Sequence, residues 1–329
     1  MKERALGAVG RFFKGESGGR ISVEAGAIGL ILILGIIATM STPVFLSLGN
    51  LVLIFDSVTL YLLLAMGLTF VLLSGSVNLA VGGKLALNCV IFAMLSHSIG
   101  MWAIPVVLVI GFLQGILMGV VFNFFRIPSF IATFGMMGIY TSLAVVLAQG
   151  SPVVMNMDVM RELRILTRFL VPGVRVQYVL AAIVFILFIF VQKRTSFGKF
   201  VTAIGNSPEA VRYVGVNVDR VKTICYGLSG LTIALGAILL TSRLFAGDPT
   251  VGVPYLLLIV AVVIVGGTSL GGGTGGIFNT LLGALTISVL QNVLQIMRVD
   301  IYYQPVIIGV VMVVAVVISL DRKRTLVVK

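Results

Sequence analysis

Apolar blocks follow one another almost end to end along this chain, separated by short polar or glycine-rich punctuation. Neither the alternation of a half-buried strand nor the one-sided stripe of a surface helix organises them. A helix needs about 17–25 apolar residues to cross a hydrocarbon core of roughly 30 Å. Blocks of that kind fall near 25–42, 51–74, 83–98, 103–124, 128–149, 177–192, 221–242, 254–267, 277–297 and 304–320. Apolarity on every face predicts helices rather than a barrel, whose strands alternate. The expected fold class is an all-α polytopic membrane protein with about ten transmembrane helices, flanked by tails at 1–24 and 321–329.

Two stretches break the pattern at what should be membrane depth, SGSVNLAVGGK at 74–84 and GGTSLGGGTGG at 266–276. Glycine weakens a helix by roughly 1 kcal/mol per residue, and irregular backbone inside a bilayer is tolerated only where protein or water covers it. Two readings stay open: broken or re-entrant segments lining a pathway, or glycines that permit close packing and tight turns. Each break precedes an apolar helix carrying an asparagine, Asn88 or Asn279, so the two resemble internal copies.

Charge decides sidedness. An even number of spans puts both termini on one face, and Lys2, Arg4, Arg11, Lys14 and Arg20 at one end with Arg322, Lys323, Arg324 and Lys329 at the other make that face cytoplasmic. The polar loop 195–222 then lies inside as well, as do Lys84 and Arg126. Only Arg161, Arg164, Arg168, Arg175, Arg243 and Arg298 of the 23 Lys and Arg face out. Four of these fall in the 150–176 connection, which also holds Asp158 and Glu162 and reads as an ordered external segment. The first apolar block lacks a small-residue cleavage site and is read as a span, not a signal peptide.

With 59% hydrophobic and 10% charged residues and a mean hydropathy of +1.18, the chain departs far from a soluble domain, in which about 25% of residues are charged. The formal charge of +12 therefore reports topology before any nucleic-acid partner. Cys89 and Cys225 stand alone inside spans and His97 sits at a helix end, so no disulfide framework and no metal site is expected. Neither break satisfies the phosphate-loop pattern Gly-x-x-x-x-Gly-Lys-Ser/Thr, and no catalytic constellation is present, so no bound cofactor and no ATP hydrolysis by this chain is expected.

The polar residues expected within the membrane are neutral: Asn78, Asn88, Gln114, Thr133, Asn279, Gln291, Asn292 and Gln295. Asp56, at the outer end of its span, is expected to reach the interface rather than to relay protons. Neutral amides and hydroxyls suit an uncharged, hydroxyl-rich solute. The competing reading is interhelical glue, worth about 0.6 kcal/mol per bond. Gln291, Asn292 and Gln295 lie a turn apart and can share a face, and Gly267, Thr268, Ser269 and Gly273 of the second break complete the candidate pathway.

The sharpest departure from apolarity is the loop TSFGKFVTAIGNSPEAVRYVGVNVDRVK at 195–222, in which Ser207 and Pro208 make a helix start with Glu209 in its first turn. An ordered, charged helix between two spans points to something that docks from outside the bilayer. This loop, with AVVIVGGTSLGGGTGGIFNTLLGAL and YYQPVIIGVVMVVAVVI after it and AMGLTFVLLSGSVNLAVG before it, resembles the permease subunits of ribose-, galactose- and xylose-type ABC importers over residues 50–320. The resemblance implies a permease domain at 25–320, a second permease (homodimer or heterodimer), two cytoplasmic ATPase subunits that use ATP-Mg, an external solute-binding protein and the bacterial inner membrane. It also implies a coupling role for Gly205, Asn206, Glu209, Ala210 and Gly215. Where the family commonly has Gly-Ile-Asp-Leu-Ser-Val-Gly, this chain has Ser76-Val77-Asn78-Leu79-Ala80-Val81-Gly82, an amide in place of an acid. A sugar or sugar-like neutral solute is the leading expectation. A furanosyl signalling molecule, a nucleoside or a branched-chain amino acid, and a non-transporting scaffold or receptor, stay open.

Overall fold

The computed structural model describes residues 43–319 together with 29, 31–32, 35–36 and 38–40. The expected span 25–42 falls mostly, and the two basic tails wholly, outside the described residues. After a 3₁₀ turn at Pro43–Leu46 the helices are α1 Leu48–Leu73, α2 Val81–Ile99, α3 Ala103–Phe125, α4 Ser129–Leu147, α5 Met157–Thr167 and α6 Val176–Arg194. They continue as α7 Ser196–Asn206, α8 Pro208–Tyr213, α9 Val218–Leu244, α10 Gly252–Val265, α11 Ile277–Ile296 and α12 Gln304–Ser319. Among the described residues, sheet structure is confined to two short antiparallel ladders, β1 Val153–Val154 with β4 Ala246–Gly247 and β2 Phe169–Val171 with β3 Val174–Arg175.

Among the described residues, six helical stretches are long and apolar enough to cross a membrane: 48–73, 81–125, 129–147, 176–194, 218–244 and 277–296. The second is folded at Gly100 into α2 and α3, which pack on one another, while α10 and α12 are shorter apolar helices. Helices α1, α9 and α11 form the centre, and α4 and α6 present most of their surface outward. Small residues set the closest contact. Gly111, Gly115 and Gly119 recur every fourth residue on α3 and meet Gly230, Gly227 and Thr223 of α9, running the opposite way. Without a hydrophobic force between helices in lipid, such backbone approach supplies the packing.

Two helices begin in the interior instead of at a rim. After α1 ends, residues 74–80 turn back into the bundle, and Asn78 Nδ2 donates to Ser229 Oγ (3.2 Å). Ser229 lies about 16 Å along α9 from Val218 at 1.5 Å per residue. Asn78 Oδ1 accepts from Ala80 N (3.0 Å), an Asx turn from which Val81 and Gly82 start α2. After α9 ends, Asp248 Oδ1 accepts from Thr250 N (2.7 Å), and Val251 and Gly252 lead into α10. The two first turns lie antiparallel, Gly82 against Gly252 and Leu256, and Gly252 against Ala86. The internal echo of Asn78-Leu79-Ala80-Val81-Gly82 is therefore Asp248-Pro249-Thr250-Val251-Gly252, which corrects the match with 266–276. The 266–276 segment instead ends at Gly276, which has no side chain with which to cap α11.

The 150–176 connection is ordered, as its mixed charge implied. Asn156 caps α5 by accepting from Asp158 N (2.8 Å), Val159 and Leu163 seat it against Ala93 and Val107, and Arg161, Glu162 and Arg164 face outward. His97 lies in the last turn of α2, its Nε2 2.8 Å from Val154 O. Lys84 is no loop cation: it is the fourth residue of α2 and completely buried, because the inward turn of 74–80 starts that helix inside the bundle.

Candidate functional site

Local capping chemistry builds the polar loop. Thr195 Oγ1 accepts from Gly198 N (3.3 Å) to open α7, and Ser207 Oγ accepts from Ala210 N (3.3 Å), with Pro208 next, to open α8. Asn217 Oδ1 accepts from Arg220 N (3.0 Å) to open α9. Gly215, at φ +82, makes the left-handed turn between α8 and α9 that a side chain would strain. Glu209 and Ala210 are exposed, and so are Tyr213 (88%) and Val214 (75%). Tyr213 and Val214 belong to no motif, and their signal in the sequence is an apolar pair between Arg212 and Gly215 in a charged loop. Together with Glu209 and Ala210 they form an exposed surface on the outer side of the loop.

The other face of the loop is locked to both glycine breaks. Gly205, at the end of α7, lies directly against Leu73 O and Gly273 N, so a Cβ there would collide with backbone on both sides. Gly273 N donates to Leu73 O (2.9 Å), Asn206 Nδ2 reaches Gly273 O (3.5 Å), and Gly272 packs on Gly75. Gln192, from the last turns of α6, joins the same assembly by accepting from Ile277 N (2.9 Å), which caps α11 from a distance. Gly205, Asn206 and Gly273 are thus brought together at one end of the bundle. Glu209, Ala210 and Gly215 lie beyond them on the open side. Thr268 is buried with Oγ1 unpartnered beneath Gly275, Gly267 turns the chain at φ +99, and Ser269 Oγ accepts from Gly271 N (3.2 Å).

The remaining pathway candidates separate into groups. Asn78 bridges its own turn and Ser229, the latter a donation that an aspartate's carboxylate cannot make. Asn88 donates to Lys84 O (2.7 Å) and Gln114 Oε1 (2.9 Å), while Tyr140 OH donates to Gln114 O (3.1 Å). Gln291 accepts from Tyr61 OH, and Asn292 exchanges reciprocal bonds with Asn50 (2.9 and 2.7 Å), so both join α11 to α1. Gln295 is exposed and stands apart from them, and the carbonyl of Asn279 packs on Gly266. Thr133 is buried and donates to its own helix at Phe130 O (3.2 Å).

Asp56 overturns one expectation. Its carboxylate is held within the protein instead of extending free: it is 9% exposed and accepts from Arg175 Nη1 (2.5 Å), Gln177 Nε2 (2.5 Å) and Tyr178 OH (2.6 Å), while Arg243 Nη2 donates to its backbone carbonyl (2.9 Å). This cluster ties α1, β3, α6 and α9 together at the end opposite α7 and α8. Asp56→Ala strands the Arg175 guanidinium and takes an acceptor from Gln177 and Tyr178, and melting of the purified protein should report a loss of about 3 kcal/mol, the low end for a broken buried pair, since the Arg175 side chain keeps 23% exposure. Arg212→Ala removes a pair with Asp219 that is 60% and 57% exposed and should cost under about 1 kcal/mol. Equal losses in the two variants would contradict the burial of Asp56. Both cysteines are free and buried, and among the described residues no group of His, Cys, Asp or Glu is arranged for a metal.

Comparison with known proteins gives a consistent picture. The family described as branched-chain amino acid transport system / permease component matches residues 50–316. A ribose import permease protein of Haemophilus influenzae is 35% identical over 302 residues, covering 91% of this chain and 93% of its own. That of Bacillus subtilis is 35% identical over 303 residues, 90% and 91% of the two chains. An L-arabinose ABC transporter permease protein of Azospirillum brasilense is 30% identical over 304 residues, 92% and 88% of the two. No solved structure matches the chain at a significant level.

Proposed function

This chain belongs to the branched-chain amino acid transport system / permease component family, and we propose that it forms the translocation pathway of a bacterial importer for a sugar or sugar-like neutral solute. It is a multi-pass protein of the bacterial inner membrane. In this reading an external binding protein delivers the solute, a second permease completes the core, and two cytoplasmic ATPase subunits bind and hydrolyse ATP-Mg. Both termini and the 195–222 loop face the cytoplasm. The observation that carries the reading is the two-sided loop. Glu209, Ala210, Tyr213 and Val214 are offered to a partner, while Gly205 and Asn206, a few residues away, touch the end of α1 and the 266–276 segment.

Support for a sugar comes from the relatives, named for ribose and L-arabinose import, and from the neutral interior. A branched-chain amino acid, which the family description names, needs a partner for its ammonium group. Among the described residues the one buried carboxylate is Asp56, and Arg175 already occupies it. The test is co-expression with the products of neighbouring genes, reconstitution into vesicles, and ATP-driven uptake of labelled ribose, arabinose and xylose. Ser207→Cys, in a background with Cys89 and Cys225 replaced, should react with an impermeant maleimide only after cells are opened. Labelling of intact cells would invert the topology, and absence of ATP-driven uptake of all three sugars would remove the sugar assignment.

A further inference from the structure

Two polar atoms without partners lie one helical turn apart on the face of α2 that α3 and α4 cover. Lys84 and Asn88 are both 0% exposed. Asn88 spends its amide hydrogens on Lys84 O and Gln114 Oε1, which leaves its Oδ1 with no donor. Lys84 Nζ has no acceptor and rests 5.7 Å from the centre of the Tyr140 ring. An aromatic face offsets only part of the cost of burying a charge, and the one buried carboxylate among the described residues, Asp56, is held by Arg175. A methionine at 84 would fill similar space without that cost.

An ammonium only donates and an amide oxygen only accepts. A hydroxyl does both, so a hydroxyl within reach of Lys84 Nζ and Asn88 Oδ1 would satisfy the two atoms together. Resting on the reading of this chain as a sugar permease, we propose that Lys84 and Asn88 form a binding site for a solute hydroxyl, with α4 as its movable wall. Gly83, beside the pair, lies under Met137 O and Thr141 of α4, so α4 is what covers it. That helix packs mainly on α2 and α3, leaves Phe134, Ile139 and Leu143 open on its far side, and is tied to the 74–80 turn at its first residue, where Ser129 Oγ accepts from Val77 N (3.1 Å), so the shift that uncovers the pair pivots about Ser129. Two features distinguish this site from interhelical glue: neither atom bonds across the interface, and the residue that bears the charge is the one least suited to packing.

The experiment uses the reconstituted importer with labelled ribose and its 2-, 3- and 5-deoxy analogues, and melting of the purified chain as a separate readout. Lys84→Met should keep or raise the melting temperature and lower ribose uptake by at least about tenfold. Lys84→Gln, which retains a donor, should keep about a third of the rate or more. For the analogue lacking the engaged hydroxyl, wild type and Lys84→Met should transport alike. Wild-type ribose uptake by a stable Lys84→Met variant overturns the site and leaves the sugar assignment standing. Loss of folding in both variants also overturns it, by making Lys84 part of the packing. If the wild-type importer moves none of ribose, arabinose and xylose, the sugar assignment fails and the hydroxyl site fails with it; if it moves arabinose or xylose but not ribose, the same comparison of variants is read with that sugar.

Discussion

Gly115→Leu is expected to leave no monodisperse protein after extraction, whereas Gly138→Leu is expected to purify and melt like the parent. Gly115 lies at the middle of the α3–α9 contact, and a Cβ there would fall onto the Tyr226 carbonyl and 2.7 Å from the Gly227 Cα. Both neighbours are backbone of a central helix, so neither yields as a flexible side chain does. Overpacking a tight core commonly costs about 1–3 kcal/mol, and against rigid backbone on both helices the upper end or beyond is expected. Gly111 one turn before and Gly119 one turn after make the same kind of approach, so α3 cannot tilt away at one point without losing the others. Gly138 has nothing within 4 Å of the place its Cβ would occupy. Size-exclusion profiles and thermal melts of the two variants decide the matter, and a parent-like Gly115→Leu would mean that α3 and α9 do not meet along this face.

Most of what depends on near neighbours was readable in the sequence. Helix starts at Thr195, Ser207 and Asn217 follow from side-chain caps three residues long, and the apolar blocks anticipated α1, α4, α6, α9 and α11 to within a few residues. What stayed hidden depends on partners far along the chain. Asp56 looked like an interfacial residue because its ligand Arg175 is 119 positions away. Lys84 looked like a cytoplasmic cation because nothing local says that 74–80 turns inward. The pairing of 74–82 with 246–252 rests on an Asx turn and a shared Val-Gly, Val81-Gly82 and Val251-Gly252, too little to stand out in sequence. Glycine content drew attention to 266–276 instead. The candidate site divided in the same way. Gly205, Asn206 and Gly273 converged, while Gln291, Asn292 and Gln295 proved to serve different neighbours, because residues a turn apart on α11 face α1 in two cases and the outside in the third.

The largest functional effect is expected at the junction, where two substitutions a few residues apart should fail in different ways. Gly205→Val places side-chain atoms on Leu73 O and the backbone at Gly272 and Gly273. It should force α7 off the ends of α1 and the 266–276 segment while leaving the exposed face of α8 intact. ATPase subunits should then still co-purify and hydrolyse ATP, but uptake per ATP should fall at least about tenfold, the mark of a lost coupling step rather than lost binding. Glu209→Lys leaves the junction untouched and sets a cation at the start of α8, on the surface offered outward. There the helix end already carries positive partial charge, so the ATPase subunits should dissociate on purification and hydrolysis and uptake should fall together. Reconstituted vesicles with measured ATP turnover, solute uptake and subunit retention separate the two outcomes. If Gly205→Val and Glu209→Lys lose subunits to the same extent, the contact among Gly205, Leu73 and Gly273 only supports the loop. If Gly205→Val transports at the parental rate, motion at α8 reaches the bundle by another route, with Gln192 and its bond to Ile277 the next connection to cut.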